Sequence, residues 1–344
     1  MTARGRKQGR APSLRDVARK AGVSVASVSR VLNRVSPTSE RLRRQVQAAA
    51  EELGYVPRSG PGAAPPRLLA VIVHDLRNPY FCEILTGVGE RASALGLSPV
   101  IVDLRGSLAG WDAARAAAAA VGTCGFLFLG TGVEERGLAE LAESTGLPVA
   151  AVNQSVRHPA VRTINVDYVK ATYTAAQHLL GFGHRRFGFL GGSLSSAVSQ
   201  DKVRGVRLAL AEADLDLHPA NVIHGPATVE WGFQALNALL ARPRELRPTA
   251  VLCACDLIAF GVLHALRSAK LGVPQDMSVT GFDDIEMAFH ANPPLTTISP
   301  PKYEMGRRAV ELLLAGDLQS SPITEYVMIE SPLVVRESTG SCRG

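Results

Sequence analysis

Residues 13–33 constrain the fold of this chain more than any other stretch, because their pattern predicts two short helices joined by a tight turn. Ser13 can cap the first helix with Asp16 as its capping-box partner, and Gly22 can end that helix in a left-handed conformation. Ser24 can cap the second helix. Both helices have an apolar stripe with helical spacing, which would face a shared core; the stripes consist of Leu14, Val17, Ala18 and Ala21, and of Val28, Val31 and Leu32.

The second of these helices is suited to the major groove of DNA. Two helices joined by a short turn that contains glycine form a helix-turn-helix, and small side chains with one guanidinium can lie close against base edges. A helical hairpin inside an ordinary core is the alternative interpretation. The candidate DNA-contacting residues comprise the two caps and the outward face of the second helix, namely Ser13, Ser24, Val25, Ala26, Ser27, Ser29, Arg30 and Asn33.

The basic residues are concentrated at the N-terminal end of the chain. The 344 residues carry a net charge of +6, whereas residues 1–70 contain 14 Lys and Arg against 4 Asp and Glu. That stretch therefore carries +10, and the remaining residues carry about −4. A basic module on a mildly acidic body is typical of a protein that binds the phosphate backbone of DNA, and this favours the helix-turn-helix over the hairpin.

The cysteines and the apolar stretches indicate the cellular compartment of the protein. The five cysteines, at positions 82, 124, 253, 255 and 342, lack the spacing of a metal site or a disulfide framework. Cys253 and Cys255 are expected on opposite faces of one strand. Reduced thiols, no apolar leader and no apolar stretch of membrane-spanning length predict a cytoplasmic protein that needs neither a membrane, a metal nor a cofactor.

Composition divides the chain into four parts. Residues 1–12 are a basic arm that we expect to be disordered, and 13–57 are the helix-turn-helix domain, whose third helix should open near Ser39 and end at Gly54. Residues 58–67, rich in Pro and Gly, are typical of a linker. Residues 68–340 form the core.

Short apolar stretches alternate with helical stretches throughout the core. Strands that are buried on both faces and alternate with helices predict parallel sheets with right-handed crossovers. There are too many strands for one small sheet, so we predict an α/β core of two doubly wound parallel-sheet lobes with a cleft between them. The predicted strands are 68–73, 99–103, 125–130, 148–153, 163–166, 186–192 and 249–254, and the clearest helices are 84–95, 168–180, 202–213 and 257–271.

Polar residues follow several of these strands, at the edge where doubly wound sheets bind ligands. Tyr80 and Phe81, shortly after the first strand, could stack on a ligand. A cap or turn function is the alternative for each polar residue, and their recurrence at equivalent strand ends favours a pocket. These polar residues are Asp75, Asn78, Asn153, Asp256, Asp283 and Asp284.

The order of the parts resembles the LacI/GalR family of bacterial transcription regulators over almost the whole chain. The resemblance implies a homodimer that binds a pseudo-palindromic operator, and a periplasmic-binding-protein-like core that takes a small effector, often a sugar or nucleoside-type molecule. The matching stretches include LRDVARKAGVSVASVSRVLN, AAAEELGYVP, VIVHDLRNPYF, HLLGFGHRRFGFLGG, TAVLCACDLIAFGVLHAL, GVPQDMSVTGFDDIEMA, PPLTTISPPKYEMGRRAVELLL and LVVRESTG.

The resemblance also implies roles for individual residues. Val25 and Ala26 occupy two base-reading positions, and Tyr55 is similar to a tyrosine that contacts phosphate. Further operator-contacting positions are held by Ser27, Ser29, Arg30 and Asn33. In the core, Tyr80 and Phe81 match an aromatic pair that borders the effector cleft, and Asp283 matches an acid that accepts hydrogen bonds from effector hydroxyls.

Three departures from the family pattern concern the effector site and the linker. Lys202 stands where the family has an arginine, so a point charge replaces a bidentate group. Cys255 stands where an asparagine usually precedes the strand-end acid, here Asp256. The linker has no leucine at the distance where relatives insert one into the minor groove, which predicts a flexible or extended tether. The alternative is a short helix that forms when two linkers meet on DNA and uses Ala63 and Ala64. The candidate effector-binding residues are Asp75, Asn78, Tyr80, Phe81, Asn153, Lys202, Cys255, Asp256 and Asp283.

Two other classes of function remain as alternatives. A solute-binding protein could share the core, but it would need an export signal and no basic headpiece. An enzyme could use the serine-rich segment 191–196 and scattered histidines such as His184, yet no nucleophile elbow or paired-histidine motif is present. The sequence therefore predicts a non-catalytic, sequence-specific DNA-binding transcriptional regulator, a repressor whose operator affinity is changed by a sugar or related metabolite.

Overall fold

The computed structural model describes residues 13–32, 39–53, 67–104, 111, 123–130, 135–154, 156, 158–193, 196–315 and 326–341. They belong to two compact units, Met1–Pro65 and Pro66–Gly344. The predicted arm, Asn33, Gly54, Tyr55 and residues 58–66 of the predicted linker lie outside the described residues. The prediction that Arg67 belongs to the linker is wrong, because this residue begins the first strand of the core.

The N-terminal unit contains the predicted helix-turn-helix and third helix. These are α1 (Leu14–Lys20), α2 (Val25–Leu32) and α3 (Glu40–Glu52). Gly22 adopts φ +62° in the turn, a conformation that glycine reaches without strain. The three helices share one small apolar core, formed by Val17, Ala18, Ala21, Val28, Val31, Val46, Ala49 and Ala50.

The second unit consists of two lobes, each built on a six-stranded sheet. The first lobe contains β1 (Arg67–Val73), β2 (Leu97–Asp103), β3 (Thr123–Leu129), β4 (Val149–Val152), β5 (Val161–Val166) and β11 (Tyr326–Ile329), with α4 (Tyr80–Ala94), α5 (Glu135–Thr145) and α11 (Lys302–Leu314). Its strand order is β11-β5-β4-β3-β1-β2, and all neighbours are parallel. The strands β4 and β5 are buried along their whole length, as helices on both faces of a sheet require.

The second lobe repeats this architecture. It contains β6 (Phe187–Leu190), β7 (Val222–Ile223), β8 (Ala250–Cys253), β9 (Ser278–Phe282), β10 (Thr296–Ile298) and β12 (Leu333–Val334), with α6 (Tyr168–Gly181), α7 (Ala197–Ala211), α8 (Val229–Leu240), α9 (Asp256–Ser268) and α10 (Glu286–His290). Two short 3₁₀ helices, Pro219–Asn221 and Arg244–Leu246, lie between these elements. The strand order is β12-β10-β9-β8-β6-β7, and among these described strands only β10 and β12 pair antiparallel.

The described chain passes between the lobes three times. It leaves the first lobe after β5, returns after β10, and leaves again after β11 to add β12 to the second sheet. The segment 326–334 therefore supplies an edge strand to each of the two sheets.

Cys255 does not lie on the strand that holds Cys253, so the prediction that they occupy opposite faces of one strand is wrong. β8 ends at Cys253, and Cys255 is the N-cap of α9. Both residues are buried in the same apolar cluster. The physical reason is that the strand is only four residues long and turns directly into the helix.

In each lobe, pairs of long helices cross where a glycine faces the backbone of the partner helix. A Cβ atom at Gly87 of α4 would lie 2.1 Å from the carbonyl oxygen of Tyr303 in α11. One at Gly306 of α11 would lie 2.1 Å from the carbonyl oxygen of Ile84. Gly89, two residues further along α4, has no heavy atom within 4 Å of the same position. The helices α4 and α11 can therefore approach each other this closely only with glycine at the crossing.

Candidate DNA interface and effector site

The start of α2 exposes the first predicted DNA-contacting side chains. The Ser24 hydroxyl accepts a hydrogen bond from the backbone N–H of Ser27 at 3.1 Å and caps the helix. The Ser24 and Ser27 hydroxyls lie 2.9 Å apart, and Val25 between them is 42% exposed. The first turn thus combines hydroxyls with an apolar group on its surface, a combination that suits base edges and thymine methyl groups.

The start of α1 and the turn that follows this helix are held by hydrogen bonds. Ser13 is the N-cap of α1 and donates from its backbone N–H to the Asp16 carboxylate at 2.9 Å. Gln45 of α3, which the sequence analysis missed, donates to the Ala21 carbonyl at 2.8 Å and fixes α3 against the turn. The remaining predicted contacts stay predictions, since they fall outside the described atoms; they are Asn33, Tyr55 and the side chains of Ala26, Ser29 and Arg30.

In the core, Tyr80, Asn153 and Tyr168 form a hydrogen-bonded relay between the lobes. Asn153 follows β4, and its Nδ2 donates to the Tyr80 hydroxyl at 2.8 Å. Its Oδ1 accepts from the hydroxyl of Tyr168, the first residue of α6 in the second lobe, at 2.8 Å. Burial raises the pKa of the Tyr80 phenol, so this hydroxyl stays protonated at neutral pH. Phe81 packs edge-to-face on Tyr80, with ring centroids 5.4 Å apart.

Asp283 is a buried carboxylate without a donor. It follows β9, is 8% exposed and has φ +114°, a region that side chains rarely adopt. In the part of the chain that the structure describes, no group donates a hydrogen bond to its carboxylate oxygens. Burial raises the pKa of this carboxyl well above its usual range, and the charges of Lys202 and Lys302 oppose that rise. A ligand that supplies a donor would satisfy this group.

Lys202 lies beside this carboxyl group, and its ammonium is enclosed by aromatic rings. Its Nζ donates to the Ala254 carbonyl at 2.7 Å. The same atom lies 3.6 Å from the centroid of the Phe282 ring and 5.2 Å from that of Tyr168. Burial lowers the pKa of Lys202, while the charge of Asp283 raises it. The Lys202 ammonium is therefore held by groups of the protein itself.

Asp256 and Cys255 are buried at the start of α9, but their side chains differ in what they contact. The Asp256 carboxylate accepts from the Thr297 hydroxyl at 2.6 Å and from the Ile285 backbone N–H at 2.9 Å. Burial raises its pKa to about 7. These bonds tie the loop after β9 to α9, so Asp256 positions Asp283. Burial raises the pKa of the Cys255 thiol to about 12, so this thiol stays neutral.

Asp75 and Asn78 contact their own loop. The Asp75 carboxylate accepts from the Nε and a terminal nitrogen of Arg77 at 2.9 and 2.8 Å, and this bonding lowers its pKa. Asn78 Oδ1 accepts from the backbone N–H of Tyr80 at 3.0 Å in the first turn of α4. Both side chains thus have local partners, and ligand contact by either residue stays a prediction.

Lys302 supports the effector site and was missed in the sequence analysis. Its ammonium donates to the backbone carbonyls of Asp283 and Asp284 at 2.8 and 3.0 Å, and it lies 3.2 Å from a Glu83 carboxylate oxygen. Asp284 is also paired with Arg336 at 2.7 Å. Two prolines directly before Lys302 mark the start of α11, but no sequence signal shows that its side chain reaches the loop after β9.

His184 has a structural position. Its Nδ1 lies 3.0 Å from the Thr249 hydroxyl, and its Nε2 lies 2.9 Å from the Ser278 hydroxyl and 3.0 Å from the Gly340 carbonyl oxygen. Burial lowers the pKa of the imidazole. This histidine, which an enzyme could have used, instead joins three segments of the second lobe.

A helix-turn-helix unit joined to a two-lobed α/β unit, with aromatic side chains and a carboxylate that has no donor among the described residues where the lobes meet, is typical of a DNA-binding regulator with a small-molecule site. Comparisons with known proteins agree. Residues 13–58 match the model described as "Bacterial regulatory proteins, lacI family", and residues 176–339 match the one described as "Periplasmic binding protein-like domain". The chain is 31% identical to the HTH-type transcriptional repressor CytR of Escherichia coli, over 98% of each chain. It is 28% identical to the repressor PurR of Photobacterium profundum, over 95% of this chain and 98% of that one.

This chain belongs to the lacI family of bacterial regulatory proteins. A similar solved structure is the Lac repressor dimer bound to operator and an anti-inducer, with TM-score 0.83, 27% identity, and 96% and 100% of the two chains covered. Another is the complex of the regulator CelR with cellobiose, with TM-score 0.72, 29% identity, and 95% and 99% coverage.

These findings confirm the predicted fold class and the prediction of a DNA-binding transcriptional repressor modulated by a small-molecule effector. The match of residues 13–58 to the lacI-family model favours this function over the alternative of a solute-binding protein that does not bind DNA. The relatives are transcriptional repressors and not enzymes. Within the described residues, no helix combines the length and apolar composition needed to cross a membrane.

Proposed function

We propose that this repressor acts in the bacterial cytoplasm as a homodimer on operator DNA, and that its effector is a sugar or a related polyhydroxylated metabolite. The observation that carries the choice of effector is the buried Asp283 carboxylate, which has no donor among the described residues. A hydroxyl is the simplest neutral group that supplies one. The names of two similar proteins support the class, since one is a ribose operon repressor and another is complexed with cellobiose.

The neighbouring side chains suit the same ligand. Tyr80 and Phe81 lie buried at the start of α4, and theirs are the rings against which the C–H face of a sugar would pack in the proposed site. Asn153 and Lys202 lie close by, but their hydrogen bonds already go to Tyr80, Tyr168 and a backbone carbonyl. Neither therefore offers the rigid bidentate recognition that an arginine would give to a carboxylate or phosphate. This favours a neutral effector over an anionic one.

We propose that effector binding is coupled to DNA binding through the contacts that cross between the lobes. The relay through Asn153 joins Tyr80 of the first lobe to Tyr168 of the second. Lys302 of α11 joins the first lobe to the loop that carries Asp283. A ligand that pairs with Asp283 would change the energy of these bonds and so the relative stability of two lobe arrangements.

A thermal-shift screen of neutral sugars, nucleosides and sugar phosphates tests the effector class. A ligand that binds only the folded protein stabilises it by about 2.7 kcal/mol at a hundred times its Kd, which raises the Tm measurably. We expect a rise with at least one neutral sugar, and a change in operator affinity with the same compound. A rise with phosphorylated compounds alone would contradict the proposal of a neutral effector.

For the DNA interface, we predict that Arg30→Ala lowers operator affinity by about 1–3 kcal/mol if the guanidinium reads a guanine. The measurement is a titration of wild type and variant against an operator and against a random duplex of equal length and salt. The loss on the random duplex should be smaller, because contacts to phosphate dominate there. Equal losses on both duplexes would show that Arg30 only touches phosphate.

We predict that the full-length protein is a dimer at micromolar concentration. One headpiece buries too little surface for a tight operator complex, and symmetric half-sites are read by paired headpieces. Multi-angle light scattering of the purified chain should therefore give twice the mass of one chain. A mass of one chain at tens of micromolar would contradict the proposed assembly.

A further inference from the structure

The second lobe has a groove on its outer side that the effector site does not include. It lies between the outward face of α7 and the edge strand β7, and its volume is about 500 Å³. Residues four and seven positions apart on a helix share one face, so α7 contributes a continuous stripe. The described residues that line the groove are Gln200, Val203, Arg204, Arg207, Leu208, Ala211, Val222 and His224.

The groove is positively charged. Arg204 and Arg207 lie one turn apart on α7, and neither side chain forms a hydrogen bond or ion pair with any residue in the described part of the chain. The described lining contains no carboxylate. Glu212, the acid at the end of α7, is held elsewhere by the hydroxyl of Tyr173 at 2.6 Å and the amide of Gln177 at 3.0 Å. Two like charges on neighbouring turns repel each other, and an anion between them would remove that cost.

The groove is also apolar along its length. Leu208 is 45% exposed although it faces a concave surface. Val222 of the edge strand and Ala211 at the end of α7 continue this apolar surface. His224 closes one side, and its ring is oriented by a hydrogen bond between Nδ1 and the Gly192 carbonyl at 3.2 Å. An apolar body could therefore be buried here while its charged end meets the guanidinium groups.

We propose that this groove is a second small-molecule site, which binds an organic anion with an apolar body and a carboxylate, sulfonate or phosphate end. The volume is within the range of sites for small organic ligands, and the paired guanidinium groups match the planar or tetrahedral anion. The site is separate from the effector site, because Lys202 points from the opposite face of α7 toward Phe282 and Ala254.

The test uses 8-anilinonaphthalene-1-sulfonate, an apolar body with a sulfonate, and the full-length protein. Its Kd is measured by calorimetry for wild type, for the double variant Arg204→Gln/Arg207→Gln, and for the control Arg244→Gln. Arg244 is an exposed arginine of the same lobe whose side chain has no partner among the described residues. We expect the double variant to bind the probe at least about tenfold more weakly, since charge-assisted bonds are lost, and the control to bind as wild type does.

Two further variants test whether the probe binds in this groove or elsewhere on the protein. Ala211→Trp places a large side chain into the groove, and probe binding should therefore be blocked. Because Ala211 is exposed, the fold is expected to be preserved, and circular dichroism can verify this. Asp283→Asn, which alters the effector site, should leave the probe affinity unchanged. Unchanged affinity in the double variant, or an equal loss in the Arg244→Gln control, would overturn the proposal. A loss with Asp283→Asn alone would also overturn it, because the probe would then occupy the effector site.

Discussion

Replacing Gly87 by alanine is expected to destabilise the core by about 1–3 kcal/mol, because overpacking a tight contact forces the backbones apart. The new Cβ would lie 2.1 Å from the carbonyl oxygen of Tyr303, and a backbone atom cannot move away as a flexible side chain can. The α4–α11 pair would have to separate, and both helices pack on the sheet of the first lobe. Urea unfolding followed by circular dichroism measures the change as a shift of the midpoint at constant slope.

Gly89→Ala is the matched control for this prediction. It makes the same chemical change on the same helix, but the position has open space around it. Alanine is the better helix former there, so the variant should be as stable as wild type or more stable by up to about 1 kcal/mol. Similar midpoints for the two variants would show that the crossing adjusts to a methyl group and that glycine is not required.

Asp283→Asn is expected to reduce the effector-dependent rise in Tm to about half or less at the same ligand concentration, which is the second large effect. The asparagine keeps the shape of the side chain but replaces one acceptor oxygen by an amide donor, which repels a ligand hydroxyl proton. Losing a charged hydrogen bond in a buried site costs about 1.5–3 kcal/mol, so the effector Kd should rise at least about tenfold. The measurement is the Tm shift with the neutral sugar that the screen identifies.

Two controls keep this prediction specific to the ligand. Asp216→Asn removes an exposed carboxylate of the same lobe and should leave the ligand response intact. Circular dichroism and the Tm of Asp283→Asn without ligand should match those of wild type, which shows that the variant folds. A normal ligand response in Asp283→Asn would mean that the effector binds without this carboxylate, and the proposed site would be wrong.

The strands that could be predicted from the sequence are the long apolar ones buried on both faces. The strands β1 and β3 have uninterrupted apolar stretches, and their predicted bounds are nearly correct. In contrast, β7 and β12 are two residues long, and β10 is a three-residue strand rich in threonine. Such short strands have no periodicity of their own and exist only because a neighbouring strand pairs with them, so pattern reasoning could not identify them.

For the effector site, the positions of candidate residues could be predicted but their bonds could not. Strand ends and family resemblance pointed to Asn153, Lys202 and Asp283, and the structure places them in one region where the lobes meet. Nothing in the sequence shows that Lys202 would lie against Phe282, or that Asp256 would bind a backbone N–H 29 residues further along the chain. Those contacts depend on the packing of α7 and α9 against β9, which is a tertiary property.

The last strands of the chain bear on the genetics of this repressor. Because residues 326–334 contribute an edge strand to each sheet, a stop codon shortly before them would remove part of both lobes at once. Such a late nonsense allele is expected to behave like an early one, with the truncated product degraded and the regulated genes expressed constitutively. A product that lacks only these last strands would therefore not act as a partly active repressor in the cell.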